Sequence, residues 1–188
     1  MSDWSPLAKG LAQKFDYTNT FYDTSPRFDI LRPEPRDEGA YDFVISSEVF
    51  EHIPPPVQPA FDNLRRVLSG KAFVVFSVPW APDGHTREHY PDLHDWRIEK
   101  SKGGHRLINR TADGVLQTFD NLIFHGGPGL TLEMRLFSRP DLESHFEAAG
   151  FDNVEVSTPD ENPDYGIVGK PWSLGMVARK RDIGRQFS

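Results

Sequence analysis

The chain has 188 residues and a mass of 21.4 kDa, room for one domain with a substantial hydrophobic core. Hydrophobic residues at 37% and charged residues at 26% exclude a disordered chain, and no apolar run reaches the roughly 20 residues of a membrane helix. Zero cysteines exclude a disulfide scaffold, a thiolate metal site and a cysteine nucleophile, and a net charge of −7 argues against broad nucleic-acid binding.

The first residues carry no signal-peptide pattern, so a soluble cytoplasmic protein is expected. A first helix is expected from about Pro6 to Phe15, with Ser5 as N-cap and an apolar stripe of Leu7, Leu11 and Phe15. Tyr17 to Tyr22 is β-branched and aromatic and reads as a short strand, with Arg27 to Leu31 as another. Tyr41 to Ser47 reads as a buried strand. Val57, Phe61, Leu64 and Leu68 define the next helix, from Pro56 to Leu68, closed by Gly70. Ala72 to Val78 is almost wholly apolar and too short for a helix, so it is expected to be a strand covered on both faces. Strand, helix and strand in that order imply a parallel sheet in an α/β layer fold.

Residues from about 80 to 131 show no sustained period and contain His85, His89, His94, His105 and His125. A segment of this length is expected to be a lid or substrate-binding insertion within a single domain. Regular structure returns with Ser138 as N-cap of a helix from Arg139 to Ala149, with Asp141 at its third position and Gly150 at its end. Asn153 to Thr158 and Ser173 to Lys180 then read as strands, antiparallel because no helix joins them.

Tyr41 to Ser47 followed by Glu48, Glu51 and His52, then Arg65-Arg66-Val67-Leu68, Gly70 and an apolar strand ending in Pro79, resembles a class I S-adenosylmethionine-dependent methyltransferase. Leu136-Phe137-Ser138, the helix after it, Ala149-Gly150-Phe151 and the two closing strands are similar to the family's C-terminal half. The resemblance covers about Tyr17 to Lys180. It implies a Rossmann-like, mostly parallel sheet with helices on both faces and a C-terminal antiparallel strand pair. It also implies S-adenosylmethionine as cofactor. The family's glycine-rich loop, whose backbone approaches the cofactor, has no counterpart, since Gly10 stands alone inside the first helix. The sequence therefore reads as an N-terminally shortened domain that starts at the helix after that loop.

By the same resemblance Asp23 is placed to accept hydrogen bonds from ribose hydroxyls and Asp29 to contact the adenine region, each against the reading of a plain turn aspartate. Ser46, Ser47 and Glu48 end a central strand, where ligands bind in open α/β sheets. Glu48, Glu51 and His52 form E-x-x-E-H, and on a helical turn they would share a face. Carboxylate plus imidazole suits a divalent metal, but relatives carry the Glu-His pair without one, and a metal is the less favoured reading. His52 and His89 are the candidate general bases, with His94 a further one beside His89. Trp4, Trp80 and Trp172 read as core aromatics before sulfonium-stacking ones. Phe124 to Gly129 lacks the Lys-Ser/Thr of a phosphate loop and reads as a turn.

The expected function is methyl transfer to a small-molecule or sugar-type acceptor, with oxygen preferred. Two readings stand beside it: a catalytically silent methyltransferase-like partner subunit, and a metal-dependent hydrolase. Neither membrane nor broad nucleic-acid binding is expected, and a protein partner or homo-oligomer stays open.

Overall fold

The computed structural model describes residues 5–81, 84–101, 103–125, 131–157 and 175–181. Helix α1 (Ser5–Ala12) is followed by irregular chain as far as β1 (Tyr41–Ser47), and α2 (Gln58–Val67) then leads into β2 (Leu68–Ser77). β1 and β2 pair in parallel, with Phe43 opposite Phe73 and Ser47 opposite Ser77. The expected strand–helix–strand unit is therefore present. Pro59 in the first turn of α2 and Arg65 and Arg66 in its last turn suit the free N–H groups and the dipole of a helix. Gly70 does not close that helix. It lies inside β2, which starts at Leu68 because Tyr41 of β1 pairs there.

Past β2 come the short strands β3 (Trp80–Ala81) and β4 (Arg87–Glu88). A meander follows, made of β5 (Asp95–Ser101), β6 (Gly104–Arg110) and β7 (Leu116–Phe119). β8 (Phe124–His125) pairs with β9 (Thr131–Leu132), and β10 (Arg135–Ser138) lies between β3 and β4. Helix α3 (Arg139–Ala149), β11 (Phe151–Val156) and β12 (Met176–Lys180) complete the described chain. The main sheet has the order β1-β2-β12-β11 and is mixed. Among the described residues its parallel part is β1 with β2, while β12 runs antiparallel to both β2 and β11.

One face of this sheet is covered by α2 and α3 through a cluster of phenylalanines. Phe76 of β2 meets Phe50, Phe61 and Phe146 at ring-centroid distances of 4.9, 6.0 and 5.1 Å. All four rings are 0–1% exposed. On the other face Phe43 stacks on Phe73 and is covered by Phe15 and Tyr17. That use of Phe15 and Tyr17 explains one departure from expectation. Tyr17 to Tyr22 and Arg27 to Leu31 form no strands. A single bridge joins Phe21 to Arg27 around a tight loop in which Pro26 has no N–H to give a ladder. α1 likewise buries none of its residues, and Leu7 is 47% exposed.

The segment from 80 to 131 is also more regular than expected. Its centre is a hairpin meander, and Gly114 after Asp113 takes the left-handed turn (φ 89°) that returns the chain into β7. No helix among the described residues is long and apolar enough to cross a membrane. The expected turn from 126 to 129, together with Trp4 and Trp172, lies outside the described residues.

A titrating group sits in the helical layer. His145 of α3 stacks on Phe61 at 5.0 Å, and its Nδ1 donates to Gln58 Oε1 at 2.6 Å. Burial holds its pKa below the ordinary histidine value, against the pull of Asp141 and alongside the push of Arg135, with Glu88 and Asp62 acting more weakly. The unfolded chain therefore takes up a proton near pH 6.5 that the folded chain resists. Stability from this group is complete above about pH 6.5 and is lost as pH falls toward the depressed folded value, by at most about 1.4 kcal/mol per pH unit. His145→Gln removes this acid-side loss, so the thermal midpoint of the parent should fall relative to that of the variant as the pH drops from about 8 to 5. Parallel curves for the two proteins would remove the assignment.

Candidate functional site

The carboxyl ends of β1 and β2 carry a connected polar edge. Ser77 Oγ donates to Glu48 Oε1 at 3.2 Å, so the 2.8 Å contact between the two serine hydroxyls is a donation from Ser47 to Ser77. Glu48 adopts a left-handed backbone (φ 52°), and its N–H donates to the Ser77 carbonyl at 2.9 Å. A side-chain-bearing residue held in that region costs about 1–3 kcal/mol and persists where its surroundings fix it, commonly at binding sites. Ser46, one residue earlier, is fully buried, and its hydroxyl has no hydrogen-bond partner.

The chain then makes a single 3₁₀ turn, Phe50–His52. This turn does not gather the E-x-x-E-H carboxylates as expected. Glu48 faces Ser77, whereas Glu51 and His52 face His125, which β8 delivers from 73 positions further along. His52 Nδ1 donates to the Leu132 carbonyl at 2.9 Å; a carbonyl only accepts, so Nδ1 carries the proton and Nε2 is the bare nitrogen. That nitrogen lies 3.0 Å from His125 Nδ1 and 3.5 Å from Glu51 Oε1. The Glu51 side chain is 0% exposed, and neither carboxylate oxygen has a hydrogen-bond partner. Burial, reinforced by the charges of Glu48 and Glu133, pushes its pKa up to about 8, and burial lowers that of His52.

The turn is anchored to its surroundings from two sides. Met134 N–H donates to the Glu51 carbonyl at 2.7 Å, and His89 N–H donates to the Met134 carbonyl at 2.8 Å. Arg135, 1% exposed, donates through Nη1 to the carbonyls of Phe50 and Ile53 and through Nε to Glu88. The same segment brings Glu133 Oε1 to 2.9 Å from His89 Nε2, with both side chains mostly shielded.

The two cofactor candidates in the N-terminal irregular chain lie differently. Asp23 is exposed in the loop closed by the Phe21–Arg27 bridge. Asp29 accepts the Leu31 N–H through Oδ1 and so caps a turn. His94 belongs to the meander, where its N–H donates to the buried Asn109. Beside it lies a cleft of ≈ 520 Å³ lined by residues including Asp92, Thr111 and Gln117. No buried charge lines that cleft, unlike the strand-end cluster. Sequence reasoning missed Glu133, Arg135 and the joining of His125 to His52. A basic residue at 135, flanked by Met134 and by Leu136 and Phe137, was the one available signal.

The α/β fold with a mixed sheet and a polar cluster at the strand ends agrees with the class I methyltransferase-type domain expected from the sequence. A family model described as a methyltransferase domain matches residues 4–117, more than half of the chain, and the chain belongs to that family. No curated protein sequence matches it. Among solved structures it is similar to a Burkholderia thailandensis 1,6-didemethyltoxoflavin-N1-methyltransferase with bound S-adenosylhomocysteine. There the identity is 18% and the TM-score 0.43, over 83% of this chain and 51% of that one. An S-adenosylmethionine-dependent methyltransferase from Mesorhizobium loti gives 18% identity and a TM-score of 0.46 over 95% and 78%. CalS10, an amino pentose methyltransferase from Micromonospora echinaspora, gives 14% and 0.43 over 82% and 63%. The chain thus spans less than two thirds of the length of the Burkholderia and Micromonospora proteins.

Proposed function

We propose that the chain catalyses methyl transfer from S-adenosylmethionine to an oxygen of a small-molecule or sugar-type acceptor. The observation that carries this reading is the polar edge Ser47–Ser77–Glu48 beside the Glu51, His52 and His89 groups, at the carboxyl ends of parallel strands in a methyltransferase-family domain. The donor set suits the cofactor, because hydroxyl and carboxylate oxygens accept from ribose hydroxyls and from an ammonium group. Ser47 and Glu48 are the residues assigned to its strand-end contacts. Asp23 is assigned to the ribose, and Asp29, through the oxygen not engaged by Leu31, to the adenine side.

When bound, S-adenosylmethionine supplies a methyl group already activated by its sulfonium. What remains for the protein is alignment, exclusion of water and removal of one proton from the acceptor. His89 takes that role: with Nε2–H directed at Glu133, its Nδ1 is the basic nitrogen, and Glu133 steadies the imidazolium that forms. His52, with Nδ1–H fixed on Leu132, turns its bare Nε2 to His125 Nδ1 at 3.0 Å and supports the site beside His89. The segment from about 80 to 131 serves as the substrate-binding lid of a single domain.

Incubation with isotopically labelled S-adenosylmethionine and panels of sugar, phenol, amine and thiol acceptors tests the reading. Label is expected on an oxygen acceptor. Transfer to nitrogen or sulfur would overturn the acceptor assignment, and no transfer to any class would favour a silent partner subunit.

A further inference from the structure

Glu51, His52 and His125 face one another with nothing between them, and one of the three is a buried carboxylate whose oxygens lack hydrogen-bond partners. A carboxylate stripped of water and left without donors is unfavourable unless it is neutralised or a cation replaces the missing partners. The two imidazoles make the second alternative specific. We propose that Glu51, His52 and His125 form a binding site for a divalent first-row transition-metal ion of the zinc class.

The geometry carries the proposal. The ligand atoms are separated by 3.0 Å (His52 Nε2 to His125 Nδ1), 3.5 Å (His52 Nε2 to Glu51 Oε1) and 3.5 Å (His125 Nδ1 to Glu51 Oε1). Three tetrahedral ligands at about 2.05 Å from a zinc ion stand about 3.3 Å apart, between the observed edges. The Leu132 carbonyl holds His52 in the tautomer that points a bare Nε2 into the triangle, the support that metal-binding histidines ordinarily receive. Two nitrogens and one carboxylate oxygen favour zinc, iron or manganese over magnesium or calcium, which prefer all-oxygen sets.

Glu51 and His52 form the shielded floor, with side chains 0% and 15% exposed, and His125 is 43% exposed at the mouth. Three protein ligands and an open side leave a position for water or an exogenous oxygen, the arrangement of a catalytic rather than a closed structural site. An acceptor hydroxyl bound there would lose its proton more readily. The site does not depend on the methyl-transfer reading, because its occupancy is measured without S-adenosylmethionine.

The test uses the full chain, freed of metal by chelator and titrated with Zn²⁺ by calorimetry and with Co²⁺ by visible absorption. One equivalent is expected, with the intense d–d bands of low-coordinate cobalt. His125→Ala, at the partly exposed mouth, and Glu51→Gln, which keeps the shape of the side chain, should each weaken binding on the order of 100-fold. Thermal midpoints of both metal-free variants check that they are folded. His85→Ala, on an exposed residue that is not part of the triangle, should bind like the parent. Binding below one equivalent in the parent, or equal affinity in the parent and a folded His125→Ala, would overturn the site. Loss of binding in His85→Ala would move the ion to surface histidines and overturn it as well.

Discussion

Glu88→Ala is expected to destabilise the fold by about 3 kcal/mol, the low end of the range for stranding a buried charge. Arg135 is 1% exposed, and Glu88 is its carboxylate partner at 2.6 Å across the β4–β10 ladder. Removing Glu88 leaves the guanidinium in the interior with two carbonyls and the face of Phe137 for company, and its Nη2 already lacks a partner. The low end applies because Glu88 is 36% exposed and a cleft of ≈ 130 Å³ beside the pair admits water. Arg135→Met removes the charge instead. It leaves the Ile53 carbonyl without its donor, at about 1–3 kcal/mol, while the Phe50 carbonyl keeps the Ile53 N–H. The double variant should therefore be no less stable than Arg135→Met alone, since Glu88 is then free to solvate. Urea unfolding of the three variants measures this. A Glu88→Ala change under about 0.5 kcal/mol would mean that Arg135 is not held as described, nor the turn that carries Glu51 and His52.

The second large effect is on turnover. In the labelled-methyl assay His89→Ala should lower kcat by about 10²–10⁴-fold, the usual worth of a positioned general base, with S-adenosylmethionine affinity unchanged. Glu133→Gln keeps a hydrogen-bond acceptor for Nε2–H but removes the charge, so its loss should be smaller than that of His89→Ala. His52→Ala should also cut turnover, but together with bound metal, since its Nε2 lies in the triangle with Glu51 and His125. Unchanged kcat in His89→Ala would take the proton-acceptor role away from it.

Local chemistry made part of this molecule legible in the sequence. Ser138 caps α3 and accepts the Asp141 N–H at 3.2 Å, and Gly150 ends the helix at φ 87°, where a Cβ would meet Arg65 Nε at 2.8 Å. Those signals are carried by single residues with one strong preference each. The stripe of α2 was legible because its buried apolar residues recur at helical spacing. Tyr41–Ser47 and the closing pair were legible because apolar and β-branched residues run through them, although in β1 only Ser46 is buried rather than the whole strand as expected. The meander was not, because both faces of β5 carry charge: Arg97 and Glu99 pair on one and Lys100 stands on the other. Its alternation is thus masked, and the turn chemistry around Gly104 and Gly114 was the surviving signal.

The site divides along the same line. Ser47, Glu48 and His52 could be found because they follow an identifiable strand within a few residues. His125 and Glu133 could not, because they reach His52 and His89 from 73 and 44 residues away in the sequence, which leaves no spacing to read. Tyr17 to Tyr22 misled in the opposite direction. Its aromatic and β-branched composition serves partly to cover Phe43 rather than to extend the sheet.

Cofactor binding is the central claim, and the thermal midpoint of the chain with and without S-adenosylmethionine or S-adenosylhomocysteine tests it most directly. At about 100 times the dissociation constant, binding to the folded state adds about 2.7 kcal/mol, a rise of roughly 5–10 °C for a domain of this size. The account predicts that rise, diminished in Asp23→Ala and Glu48→Gln. An unchanged midpoint at millimolar ligand would contradict it, and the chain by itself would not be a working methyltransferase.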